Sequence, residues 1–196
     1  MTKEYHEFFD KKVRGTYDLK DIDKKLWQKR KVFALLSREI NDLHGKTLGI
    51  IGKGSIGMKV GRIAKAFGMN INYFSVRNYK KTQFLKFLSS LDYLSIHCPL
   101  NEKTKDLITI KELKIMKKNM ILINTARGGI VNENDLTKAL KQKIIAGAGI
   151  DVTTSEPPKK SHAYYSILNE ANFIWTPHTA WASNETLQEA INQLVK

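Results

Sequence analysis

An α/β fold with a doubly wound parallel sheet is predicted by three features of the sequence. Short apolar runs alternate with segments of helical period, and several of those runs lack polar alternation. One glycine pattern, Gly52-Lys-Gly54-Ser-Ile-Gly57, sits between an apolar run and a helical segment. Strands without polar alternation are buried on both faces, as in a parallel sheet covered by helices. A strand, a tight glycine turn and a helix together make the context of a dinucleotide-binding loop.

The elements follow in order. Residues 1–45 are charged with scattered aromatics, and Leu26, Phe33, Leu36 and Ile40 predict at least one packed helix. This stretch reads as an N-terminal helical arm, 46–182 as the dinucleotide-binding domain and 183–196 as a C-terminal helix. Lys46 to Ile51 reads as a strand; Ile56, Val60, Ile63, Ala64 and Phe67 then fall on one helical face, which Gly68 ends. Ile71 to Val76 is a second strand, Phe84 to Leu88 a short helix, and Tyr93 to Cys98 a third strand, stopped by Pro99. Thr109 and Glu112 have capping-box spacing and open another helix. Met120 to Asn124 is a strand leading to a Gly128-Gly129 turn, and Asn132 caps a helix through Leu140. Ile144 to Val152 and Phe173 to Thr176 are the remaining strands, about six in all, as one such domain requires. A final helix carries Leu187, Ala190, Ile191, Leu194 and Val195 on one face.

Composition bounds the function. The chain of 196 residues is 42% hydrophobic, and no apolar run approaches the roughly 20 residues of a membrane span. The charged N-terminus lacks the apolar core of a signal peptide, and one cysteine, Cys98, excludes an internal disulfide framework or a cysteine-rich metal site. A cytoplasmic protein without a metal is expected. The net charge of +14 is spread along the chain as lysines interleaved with Ile and Asn, without a long basic run. It reads as a solvated surface that attracts anionic ligands, not as a specific nucleic-acid site.

In the glycine loop, Gly52 permits a turn that a side chain would obstruct, Gly54 lets backbone approach a pyrophosphate, and Gly57 lets the helix pack close to the strand. The helix N-terminus offers free N–H groups to phosphate. Three further segments follow strands, where a doubly wound sheet places ligands. In Ile123-Asn-Thr-Ala-Arg127-Gly-Gly, Arg127 is either a surface turn residue or a carboxylate clamp. In Gly149-Ile-Asp151-Val-Thr-Thr-Ser-Glu156-Pro-Pro, Asp151 either forms a turn or needs a partner, and Glu156 is either solvated or functional. In Trp175-Thr-Pro-His178-Thr-Ala-Trp181, His178 is either structural or a proton carrier. His162, His97, His44 and His6 have no comparable setting.

Taken together, these segments resemble the D-isomer-specific 2-hydroxyacid dehydrogenases, and the ending Thr-Pro-His-Thr-Ala-Trp-Ala-Ser is most similar to the glycerate dehydrogenase (hydroxypyruvate reductase) branch. His-Cys-Pro-Leu-Asn-Glu-Lys-Thr adds to the match, which runs from about Gly45 to the end. The resemblance implies a Rossmann-like NAD(P)-binding domain that reduces a small 2-keto acid, such as hydroxypyruvate or glyoxylate, or oxidises the corresponding D-2-hydroxy acid. It implies His178 as general acid and base, Glu156 as the partner favouring its protonated form, and Arg127 as the clamp on the substrate carboxylate. Ser55 and Ile56 would meet the pyrophosphate, and Pro99 and Thr104 would flank the cofactor. Thr125, Ala126 and Asp151 would lie near the nicotinamide, and Trp181 would shape the substrate pocket. A homodimer is also implied.

Two departures qualify the resemblance. Ser75-Val-Arg77-Asn-Tyr-Lys80-Lys81 stands where NAD-selective relatives carry an acid, so either NADP is accepted or Ser75 replaces the acid in an NAD enzyme. The region 1–45 resembles a connecting segment rather than a complete substrate domain. The chain is therefore expected to be a truncated form, impaired alone. A non-catalytic dinucleotide-binding or interaction module is the competing reading.

Overall fold

In the computed structural model, residues 41–194 are described. The sequence-predicted arm helix around Leu26 to Ile40 lies outside the described residues, as do His6 and Val195. Six parallel strands form one sheet: β1 (Thr47–Ile51), β2 (Asn70–Phe74), β3 (Tyr93–Ile96), β4 (Ile121–Asn124), β5 (Gly147–Ile150) and β6 (Phe173–Trp175). Their order is β2-β1-β3-β4-β5-β6, so the chain winds one way from β1 to β2 and the other way from β3 onward. The winding reverses between β1 and β3, the crevice where such sheets bind ligands. Registers align the carboxyl ends: Ile51 pairs with Phe74 and Ile96, Ile96 with Asn124, Asn124 with Ile150, and Ile150 with Trp175.

Among the described residues five α-helices accompany the sheet: α1 (Ser55–Ala66), α2 (Lys81–Ser90), α3 (Ile110–Leu113), α4 (Glu133–Lys141) and α5 (Asn184–Leu194). The doubly wound expectation holds, and Ile50, Ile51, Leu94, Ile96, Leu122 and Ile150 are buried in the strands themselves. The capping box forms at α3, where Thr109 N–H donates to Glu112 Oε2 at 3.1 Å. Asn132 caps α4 by accepting the Asp135 N–H.

The face of α1 differs from expectation. Of the expected stripe, Ala64 is buried and Val60 packs against the core beside Gly57 and Gly61, whereas Ile56, Ile63 and Phe67 are exposed. The helix lies so close to the sheet that a methyl added at Gly61 would fall 2.1 Å from the Tyr73 hydroxyl. Only the stripe of small residues fits that gap, and the bulkier stripe turns outward.

Strand ends also shift. Val76 is not in β2 but in a 3₁₀ turn (Val76–Asn78), which Ser75 caps by accepting the Arg77 N–H at 3.4 Å. Ile144 and Ile145 precede β5; the Ile144 N–H closes onto Ala139 at the end of α4, after Lys143 takes a left-handed backbone (φ 54°). Apolar residues continue past these strands because the flanking turns are buried too. On α5, Leu187 and Ile191 are exposed. No helix among the described residues is long and apolar enough to cross a membrane.

Candidate active site

The glycine loop leaves β1 with three distinct backbone demands. Gly52 has φ 102°, and a methyl there would lie 2.5 Å from the His97 carbonyl oxygen. A methyl on Gly57 would lie 2.1 Å from the Gly52 carbonyl oxygen, so helix and turn touch through backbone. Nothing stands within 4 Å of a methyl on Gly54, which leaves the backbone before α1 open. No side chain caps this helix. Without such a cap, the first-turn N–H groups of Ser55, Ile56 and Gly57 have no side-chain acceptor, the arrangement that receives a diphosphate.

At the end of β2, Ser75 and Arg77 are exposed, together with Lys80 and Lys81. A hollow of about 460 Å³ lies beside them, lined by Val76, Arg77, Asn101, Glu102 and Lys103. After β3, Pro99 is exposed, but Thr104 departs from expectation. It is fully buried, and its hydroxyl donates to the Pro99 carbonyl (2.7 Å) while accepting the Asn101 N–H (2.8 Å). Its hydroxyl is satisfied inside the loop, so Thr104 shapes the turn bearing Pro99 and presents no surface to a ligand.

After β4, the Asn124 side chain accepts the Ala126 N–H and donates to the Arg127 carbonyl, holding the turn closed. Thr125 is exposed and Ala126 partly buried. The Arg127 guanidinium is exposed, and its Nη1 donates to the Ala126 carbonyl at 2.6 Å. A methyl on Gly128 would fall 2.0 Å from the Thr153 carbonyl carbon. The Arg127 turn therefore lies directly against the loop that follows β5.

That loop and the one after β6 carry the remaining residues. Asp151 is 3% exposed, and its carboxylate accepts three hydrogen bonds: from the Thr176 hydroxyl and from the N–H groups of Thr179 and Ala180, both at 2.9 Å. Its carbonyl accepts the His178 N–H at 2.9 Å. Burial works to raise the Asp151 pKa, but these three donors and the nearby His178 charge lower it more, leaving it below the ordinary 3.8. His178 itself has φ 54°, a left-handed backbone that non-glycine residues seldom adopt. Asp151 thus holds the strained turn from which the imidazole projects, and it also lines the hollow beside His178.

His178 Nδ1 meets Glu156 Oε2 at 2.6 Å. The other Glu156 oxygen accepts the Thr153 N–H at 2.9 Å. Burial pushes the Glu156 carboxyl up, but the Thr153 and His178 hydrogen bonds and the His178 charge outweigh it, and the carboxyl titrates below the ordinary 4.5. With Nδ1 committed to Glu156, Nε2 is the imidazole nitrogen left for a ligand. A hollow of about 520 Å³ adjoins the pair, walled by Pro157, Tyr165, Leu168 and Trp175. Trp175 is the tryptophan lining this hollow, and Trp181, expected to shape the substrate pocket, is half exposed.

One feature escaped the sequence reading. His162 was expected to lack a comparable setting, yet its Nε2 meets Glu133 Oε2 at 2.8 Å, with both side chains largely buried. The Glu133 carboxylate also accepts the Thr154 N–H (2.7 Å) and hydroxyl (2.8 Å). The imidazole lies face-on to Trp175, with centroids 5.5 Å apart. Glu133 and His162 are 29 residues apart, and no spacing rule connects them. His97, also read as lacking a setting, pairs with the Ser95 hydroxyl at 2.8 Å. Among the described residues no cluster of three His, Cys, Asp or Glu side chains could hold a metal.

A doubly wound sheet, a glycine turn open to a diphosphate and a His–Glu pair at neighbouring strand ends define the class as a dinucleotide-binding α/β protein. The model of the D-isomer specific 2-hydroxyacid dehydrogenase NAD binding domain matches residues 16–180. A glycerate dehydrogenase of Methylorubrum extorquens is 44% identical over 173 residues, 86% of this chain and 54% of the relative. The crystal structure of a glyoxylate reductase from Paecilomyes thermophila matches with a TM-score of 0.69 at 33% identity, covering 90% of this chain and 53% of that one. An acyclic imino acid reductase in complex with NADPH and D-Arg matches with a TM-score of 0.72 at 29% identity, covering 90% and 57%. The chain belongs to the D-isomer-specific 2-hydroxyacid dehydrogenase family and carries its NAD-binding domain. It spans about half the length of these relatives.

Proposed function

We propose that this chain is the cofactor-binding portion of an NAD(P)-dependent reductase of small 2-keto acids, of which hydroxypyruvate and glyoxylate are the leading candidates. The 2.6 Å contact between His178 Nδ1 and Glu156, beside an open glycine turn, carries this reading. A reduced nicotinamide, when held at the glycine turn, would supply the hydride that adds to the keto carbon. His178 Nε2 gives a proton to the carbonyl oxygen, and in the reverse direction takes it back. Glu156 accepts the Nδ1–H and so holds the ring with Nε2 turned to the substrate oxygen. Arg127, exposed on the adjoining turn, pairs with the substrate carboxylate and polarises the neighbouring carbonyl.

The relatives' names support the substrate class: one is a glycerate dehydrogenase and another a glyoxylate reductase. In single-turnover experiments, the purified chain is expected to bind NADH or NADPH and to oxidise it slowly on adding hydroxypyruvate. His178→Ala should leave cofactor affinity intact and abolish the oxidation. Loss of binding for both cofactors, or oxidation that persists in His178→Ala, would refute the assignment.

The same reading accepts NADPH. Ser75 offers no carboxylate to repel a 2′-phosphate, and exposed Arg77, Lys80 and Lys81 surround it, with Glu102 the opposing charge in the adjoining hollow. Comparing dissociation constants tests this: a large preference for NADH overturns it. Exposed Ile56, Ile63 and Phe67 on α1 support a homodimer by giving a second copy an apolar face to cover, which sedimentation would detect. The single cysteine, buried and free, supports a reducing, cytoplasmic setting.

A further inference from the structure

The two His–Glu pairs are not independent. Glu133 is the first residue of α4, and its carboxylate grips Thr154 twice, through the backbone N–H and the hydroxyl. Thr154 lies in the turn that carries Glu156. Thr153, its neighbour, donates its N–H to Glu156 and its hydroxyl to the Ser155 carbonyl. Pulling on Thr154 therefore sets where the Glu156 carboxylate stands relative to His178.

His162 completes the grip, and its tautomer is fixed by its neighbours. Its Nδ1 accepts the Tyr164 N–H at 3.3 Å, as the cap of the 3₁₀ turn Ala163–Ile167. An Nδ1 that accepts carries no proton, so Nε2 holds the hydrogen and donates it to Glu133. The Glu133 oxygens thus receive three donors. The His162 ring is locked between Trp175, against its face, and Tyr164, edge-on at 4.8 Å. Trp175 is the last residue of β6, just ahead of the turn bearing His178. The frame accordingly bears on both partners of the Glu156–His178 contact.

We propose that Glu133 and His162 are positioning residues for the Glu156–His178 pair, acting through Thr154. This rests on the function proposed above for that pair, yet its test needs no turnover.

The readout is the titration of the Glu156 carboxyl, followed by carbon NMR of the labelled, intact chain. The groups facing Glu156 are His178, which lowers its midpoint, and Asp151, which raises it. Loosening the turn weakens the Thr153 and His178 hydrogen bonds, so the midpoint rises toward that of an ordinary glutamate. A rise of about half a pH unit or more is expected in His162→Ala and in Glu133→Gln. His162→Gln, which keeps a donor at the Nε2 position, should restore the original midpoint. Thr154→Val removes only the exposed hydroxyl contact and serves if the buried variants fail to fold; a smaller rise is expected there. An unmoved Glu156 midpoint in folded His162→Ala or Thr154→Val overturns the proposal. So does a midpoint in His162→Gln as high as in His162→Ala. If this titration behaves as expected while the cofactor assays fail, the functional reading falls and the positioning stands.

Discussion

Replacing Asp151 by Asn tests whether one buried carboxylate holds the His178 turn. The substitution is nearly isosteric, so it leaves packing unchanged and alters only donors and acceptors. Asp151 accepts from Thr176, Thr179 and Ala180, with one oxygen taking the first two and the other the third. Either orientation of an Asn amide sets its NH₂ against at least one backbone N–H. Losing a charge-assisted bond and leaving a donor unpaired costs about 2–3 kcal/mol. The pH dependence supplies the sign. The native carboxyl titrates below its ordinary 3.8, so its contribution is fully present above that value and is lost as pH falls through the lower folded pKa. Urea unfolding near neutral pH should therefore show Asp151→Asn less stable by that amount, and the gap should narrow in acid as the pH falls below the ordinary 3.8 and through the lower folded pKa. NADH affinity should change little, because the glycine turn lies on another strand. A difference under about 0.5 kcal/mol at neutral pH, or one that persists unchanged in acid, would refute the reasoning.

Further outcomes follow from the glycine turn and the β2 end. Gly57→Ala forces α1 off the Gly52 carbonyl and should cost about 1–3 kcal/mol along with most of the NADH affinity, read by urea unfolding and fluorescence quenching. Gly54→Ala meets nothing within 4 Å and should fold as stably as the native chain while still weakening NADH; equal loss of stability in both would show that the turn is merely tight, not kept open. Ser75→Asp places a carboxylate where a 2′-phosphate would sit, and should raise the NADPH dissociation constant about tenfold or more with little effect on NADH.

The parts of the fold that were legible in the sequence are those set by local chemistry. Gly52 and Gly57 announce their roles because each answers a separate steric demand that the turn makes, and the space beside Gly54 is open. Thr109 with Glu112, and Asn132 with Asp135, are caps that depend only on neighbours along the chain. The misreadings have one cause: periodicity marks a stripe without saying how near the neighbour comes. On α1 the expected stripe holds at Val60 and Ala64, but its bulky members Ile56, Ile63 and Phe67 lost the core to Gly57 and Gly61. The same limit governs the site. Glu156 and His178 were legible through their segments, but the Glu133–His162 pair joins α4 to a loop 29 residues on, and only the folded chain brings them together. Thr104 was expected to flank the cofactor on the strength of the resemblance, and its burial is a property no segment reveals.

The backbone of His178 gives the sharpest way to separate the strain in this turn from the chemistry of its side chain. A left-handed backbone costs a non-glycine residue about 1–2 kcal/mol, whereas glycine adopts it freely. In an ordinary position glycine is less stable than alanine by roughly 0.5–1 kcal/mol, because the unfolded chain gains freedom. At position 178 the first effect exceeds the second. His178→Gly should therefore unfold at the same urea concentration as His178→Ala or higher, a difference of about 0–1 kcal/mol. Both variants lack the imidazole and both leave Glu156 without its partner, so the comparison cancels the lost ion pair. If His178→Ala proves more stable by a full kcal/mol, the turn is relaxed in solution, and Asp151 is not holding a strained residue in place. If glycine wins, the three hydrogen bonds on Asp151 keep the imidazole in a conformation that it would otherwise leave.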